Sequence, residues 1–135
     1  MKIDGSCHCG SVTYNAEVYT DAAVICHCSD CQRMSASPYR VIVPAKESDF
    51  FLLGDSPKNY IKVSESGNQR IQAFCSECGT HLYATSIDKV GERVFNLRLG
   101  AINQKDEFYP TSQIWCRSAQ SWAFNIEKIT RLETV

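Results

Sequence analysis

Apolar residues recur at every second position through Val12, Tyr14, Ala16 and Val18, with Thr13, Asn15 and Glu17 between them. A period of two marks a strand with one buried face, and it predicts a strand over residues 12–18. Shorter runs of similar character predict strands over residues 39–43, 50–53, 60–63, 69–74, 81–85 and 94–99. Turn-forming stretches such as Gly54-Asp55-Ser56-Pro57 and Glu65-Ser66-Gly67-Asn68 separate them. No window of about 12 residues carries a helical stripe. Ser29 is a candidate N-cap for one short turn through Asp30, Cys31, Gln32 and Arg33. The expected fold is mainly β, an all-β meander with little helix.

Composition narrows the class. With 135 residues, 44% hydrophobic and 21% charged, the chain suits one globular domain. The net charge of −1 and the scattering of its 14 Lys and Arg speak against a phosphate backbone as partner, so nucleic-acid binding is not expected. The opening Met1-Lys2-Ile3-Asp4-Gly5-Ser6 offers no apolar run for a leader, and no stretch of roughly 18 apolar residues suggests a membrane span. A cytoplasmic, reducing location is the expectation.

Candidate chemistry enters with sulfur. Seven of the eight cysteines fall into three groups: Cys7-His8-Cys9, Cys26-His27-Cys28-Ser29-Asp30-Cys31 and Cys75-Ser76-Glu77-Cys78-Gly79. Tetrahedral zinc takes four donors at about 2.3 Å, which two close pairs from distant parts of a chain can supply. Cys7 and Cys9 with Cys75 and Cys78 make one complete all-thiolate set. Cys26, Cys28 and Cys31 make three donors with one position left, the arrangement of a reactive rather than a closed site. A disulfide framework is the rival reading. The reducing location and the strained ring that a bond within Cys-x-Cys would close both count against it. The pairing of groups stays open on spacing alone, because Cys116 could complete the middle group.

In an extended segment, residues i and i+2 share a side, so Cys7 and Cys9 face one way and His8 the other, and likewise Cys26 and Cys28 against His27. His8 and His27 are therefore expected in supporting or surface roles. His81 is expected as a strand residue, Cys116 as a small buried apolar residue, and Trp115 and Trp122 as core or pocket-wall aromatics. Arg33, Arg40, Arg70 and Arg98 are expected as solvated charges, with an anionic substrate as the alternative. Asp30 and His27 lie near the middle group as weak candidates for acid–base work.

The three groups resemble the glutathione-dependent formaldehyde-activating enzyme family, whose members carry G-x-C-x-C-G, C-H-C-x-x-C and F-C-x-x-C-G-T in that order. Here these read Gly5-Ser6-Cys7-His8-Cys9-Gly10, Cys26-His27-Cys28-Ser29-Asp30-Cys31 and Phe74-Cys75-Ser76-Glu77-Cys78-Gly79-Thr80, and Ser37-Pro38-Tyr39 resembles a further S-P-F/Y. Ala36 and Gln120 stand where many members have Gly and Pro. The resemblance implies one zinc-binding domain over residues 1–135, a small β fold of the β-tent kind also known as the centromere protein V-like domain. It implies two zinc ions. A structural one would be held by Cys7, Cys9, Cys75 and Cys78, and a catalytic, exchangeable one by Cys26, Cys28 and Cys31. The implied activity is a carbon–sulfur lyase reaction on a thiol–aldehyde adduct such as S-hydroxymethylglutathione, with a small-molecule thiol as partner. A non-catalytic zinc-stabilised binding module is the competing class, and a metal-free thiol sensor using Cys31 a second alternative.

Overall fold

The alternation of residues 12–18 is realised as the central strand of a small antiparallel sheet in the computed structural model, which describes residues 1–135. That strand, β2 (Val12–Glu17), lies between β1 (Lys2–Ser6) and β5 (Phe50–Gly54). Its inward residues Val12, Tyr14 and Ala16 are all buried. Gly5 pairs with Tyr14 across β1 and β2. A Cβ at Gly5 would lie 2.2 Å from Tyr14 Cζ, so only glycine lets the ring lie flat over β1.

A second sheet has seven strands in the order β10 (Ser112–Ile114), β3 (Val24–Cys26), β4 (Arg40–Lys46), β9 (Val94–Arg98), β8 (His81–Ser86), β7 (Gln69–Phe74) and β6 (Lys58–Val63). β6 to β9 follow one another as the expected meander, and β3 pairs antiparallel with β4. The rest departs from it: β4 pairs with β9 across a long connection, and β10 joins β3 in parallel. The one α-helix, α1 (Ser29–Ser35), follows β3. The mainly-β, low-helix expectation therefore stands, with two sheets instead of a single meander.

Register divides the large sheet into two faces. Val43, Leu97, Tyr83 and Ala73 form a cross-strand row on the face toward the small sheet, and each is buried. Phe50 of the small sheet stacks on Phe95 at 4.6 Å between ring centroids and meets Tyr83 edge-on at 5.1 Å. Full burial of each such side chain is worth about 1.5–3 kcal/mol, so this apolar layer holds the two sheets together. Away from it, Glu47 accepts from Arg93 Nε at 3.0 Å and from the Gly91 and Arg93 amides. This clamps the turn after β4 to the loop before β9. No helix is long and apolar enough to cross a membrane.

Candidate metal centres

Two cysteine clusters emerge from this frame, and they are built differently. The first lies where the β1–β2 turn meets the β7–β8 turn. The Sγ atoms of Cys7, Cys9, Cys75 and Cys78 lie within 4.8 Å of one another. Cys7 and Cys9 are 3.6 Å apart and Cys9 and Cys75 3.7 Å apart. Zinc–sulfur bonds of about 2.3 Å in a tetrahedron put sulfurs about 3.8 Å apart, so this donor set fits zinc in number, chemistry and spacing. Each turn is a short knuckle closed by a glycine in the left-handed region, Gly10 at φ +81° and Gly79 at φ +76°. The Gly10 amide donates to the Cys7 carbonyl at 3.1 Å and the Gly79 amide to the Cys75 carbonyl at 2.9 Å.

Hydroxyl and amide groups line the first cluster. The Val12 amide donates to Cys7 Sγ at 3.3 Å, and Ser11 Oγ lies 3.2 Å from Cys9 Sγ and 3.3 Å from Cys75 Sγ. Thr80 Oγ1 sits 3.2 Å from Cys78 Sγ, and its hydroxyl is the chief cause holding the Cys78 thiol down at about 5. Thiolate is the ligating form. Cys7 and Cys75 are buried within the apolar core, whereas Cys9 and Cys78 are exposed. Residues 7–9 form a turn rather than the expected extended segment. The two sulfurs converge all the same, while His8 is exposed and contributes its amide to Thr80 Oγ1.

The second cluster is local. Cys26 ends β3, Cys28 precedes α1 and Cys31 lies in its first turn, and their three Sγ atoms again fall within 4.8 Å of one another. Ser29 is not the cap: Cys28 occupies that position, its Sγ accepting from the Cys31 amide at 3.2 Å. A sulfur thus does what a serine hydroxyl usually does. A hydrogen bond with Cys31 shifts the Cys26 thiol below its ordinary value against burial, and the same bond with burial raises Cys31. Three soft donors suit a thiophilic divalent ion, and no fourth Cys, His, Asp or Glu joins the group. Cys116 is exposed on a separate turn, which corrects the expectation that it is buried and leaves the trio without a fourth protein sulfur. All eight cysteines are free.

His27 is turned away from the sulfurs. It is buried, with Nε2 2.7 Å from Gln113 Oε1 and its ring against Tyr39 and Phe124. Asp30 is paired with Lys62 of β6 at 2.7 Å. Beside α1, a groove of about 590 Å³ runs between Ser29, Gln32 and Arg33 on one side and Gln120 and Trp122 on the other. Gln32 fastens this wall, donating to the Ser118 carbonyl at 2.8 Å and accepting from Gln120 at 3.0 Å. Trp122 is thus the pocket-wall aromatic. Trp115 is half exposed, with the Arg117 guanidinium 5.0 Å from its ring centre.

The polar face of the large sheet holds residues that sequence reasoning misplaced. Cys26 is opposite Arg40, and Ile42, two residues on, is opposite Arg98, so register puts Cys26, Arg40 and Arg98 on one face. Arg40 and Arg98 are buried, not solvated. Arg98 Nη2 donates to Gln72 Oε1 at 2.9 Å, and Arg40 Nη1 reaches the same oxygen at 3.5 Å. Burial, and then the neighbouring Arg40, draw Arg98 down to about 9. Arg33 is exposed as expected, and Arg70 is half-buried. His81 begins β8, with burial and then these arginines depressing its pKa. The hydroxyls of Ser11 and Thr80 were also missed. Their only sequence signal is adjacency to the Cys-Gly steps.

Comparison with known proteins places these features in a wider set. The family model for "Glutathione-dependent formaldehyde-activating enzyme" matches residues 2–118, which include all three cysteine groups. No curated protein matches the chain. Among solved structures, the crystal structure of a Rhodobacter sphaeroides protein is similar, with a TM-score of 0.60 and 20% identity over 82% of this chain and 98% of that one. That likeness extends the fold to a distant sequence.

Proposed function

The chain belongs to the glutathione-dependent formaldehyde-activating enzyme family, and on that premise we propose that it is a zinc-dependent carbon–sulfur lyase acting on a thiol–aldehyde adduct such as S-hydroxymethylglutathione. In the joining direction the thiol sulfur bonds to the aldehyde carbon and the thiol proton ends on the former carbonyl oxygen. Splitting the adduct reverses both. The observation that carries this reading is the trio of Cys26, Cys28 and Cys31 with no fourth protein donor; Ser29, between Cys28 and Cys31 in the chain, lines a groove of ligand size.

Cys7, Cys9, Cys75 and Cys78 would hold a structural zinc, and Cys26, Cys28 and Cys31 a catalytic, exchangeable one. When bound by three thiolates, zinc offers a position where a substrate thiol is favoured as thiolate and an adduct oxygen is polarised. The surrounding residues orient and shield. Cys28 is fixed by the Cys31 amide, and Gln32 donates to the His27 carbonyl at 2.8 Å, holding the segment between the sulfurs. Trp122 and Gln120 form one wall of the groove. A complete fourth donor from Cys116 would have favoured a purely structural module, and its separate position supports the enzyme reading.

Native mass spectrometry of the reduced chain, with and without excess glutathione, tests this together with exchange NMR of the formaldehyde–glutathione equilibrium. Two zinc ions, one of them perturbed by the thiol, and accelerated exchange are expected. One zinc indifferent to glutathione, with exchange at the uncatalysed rate, refutes the reading.

A further inference from the structure

Arg40 and Arg98 are 6% and 8% exposed, and the acceptor they share is one neutral oxygen, Gln72 Oε1. Buried guanidiniums need compensating charge. Neither makes an ion pair, for the ion pairs of the molecule join Lys62 to Asp30 and Arg93 to Glu47. Arg40 Nη2 and Arg98 Nε are moreover buried without any acceptor. Cys26, opposite Arg40 in the register, puts the three-sulfur cluster on the same sheet face as the two guanidiniums. Three thiolates around a divalent ion sum to a single negative charge, which offsets one guanidinium and leaves the other uncompensated.

The two arginines line a cleft of about 450 Å³ with Ser37, Tyr39, Lys105 and Asp106. Lys105 adds a cation at the rim and Asp106 an anion, so the rim is balanced and the uncompensated charge lies at the floor. We propose that this cleft seats a carboxylate of the substrate, so that the chain acts on anionic thiols and their adducts in preference to small neutral ones. The inference deepens the thiol reading above and rests on it. A planar carboxylate matches the guanidinium fork and meets donors that the fold leaves without partners.

Calorimetric titration of the zinc-loaded chain with glutathione and with its diethyl ester, which keeps the thiol and loses both carboxylates, tests it. The free acid should bind about tenfold or more tightly than the ester. Arg98→Gln should bring the two within about twofold, with zinc content unchanged. Equal affinity of acid and ester in the wild-type chain overturns the proposal, as does a parallel loss for both in Arg98→Gln. A second measurement needs neither a variant nor a thiol. Succinate should shift the ¹⁵Nε resonances of Arg40 and Arg98, and unshifted resonances at saturating succinate count against the site. If succinate shifts them while no thiol binds, the lyase reading fails and the carboxylate site stands. If thiols bind without acid–ester discrimination, the reverse holds.

Discussion

The two cysteine clusters use the same donor atom and differ in how far the chain must travel to make them. The four-sulfur cluster joins residues 66 positions apart, from the turn of the small sheet to a turn of the large one. The three-sulfur cluster is finished within six residues at the end of β3 and the start of α1. A link across a long loop removes much of the unfolded chain's freedom, and a local one removes little. A metal held by the first cluster would therefore fasten the fold. The second adds little to the closure of the fold; Ser29 within its segment lines a groove, and Arg40 and Arg98 share the sheet face of Cys26.

The largest effect should come from opening the fastening. Cys78→Ser removes one of four donors from a site whose metal can contribute about 10–16 kcal/mol in small zinc domains, against a total stability of about 5–15 kcal/mol. The variant should be unfolded by circular dichroism, and a native thermal transition would erase the distinction between the clusters. Cys28→Ser should do the opposite: one zinc lost, turnover abolished, and the melting temperature close to that of the parent. Normal turnover in Cys28→Ser would sink the assignment of the trio.

Two smaller tests sharpen the contrast. Ala36 ends α1 at φ +50°, a conformation that costs a residue with a Cβ about 1 kcal/mol. Ala36→Gly should raise the melting temperature by about 3 °C while leaving zinc content at both clusters unchanged. The smallest effect belongs to Glu47, remote from either cluster, whose carboxyl is held at about 2 chiefly by hydrogen bonds from Arg93. Its pKa is depressed on folding, so its contribution is complete above the unfolded value of about 4.3 and is lost as pH falls toward about 2. A Glu47→Gln chain should lose that segment of acid sensitivity and keep the rest. Identical acid profiles for parent and variant would remove Glu47 from the account.

Much of the β framework was legible, β2 from the alternation of buried and exposed residues and β5, β7 and β8 from short runs rich in β-branched and aromatic residues bounded by turn-formers. β7 matches its expected bounds, and β2, β5 and β8 differ by one residue. The three missed strands lack the signal for physical reasons. β1 has glycine at an inward position because Tyr14 fills the space. β3 and β10 are three residues each, too short for periodicity, and β10 is exposed throughout. Arg40 and Arg98 were read as solvated because charged side chains usually are. Their burial follows from strand pairings that no local pattern reports.

What the sequence determined by itself is the set of sulfurs and their grouping. The knuckles of Cys7–Gly10 and Cys75–Gly79 are local geometries closed by glycine, and the cap at Cys28 is a local hydrogen bond to the Cys31 amide. Tertiary structure decided which knuckles meet, that Cys116 stands apart, and that Arg40 and Arg98 share a face with Cys26. Those outcomes depend on register. A strand shifted by one residue presents its opposite face, and only the packing of the two sheets against each other selects between them.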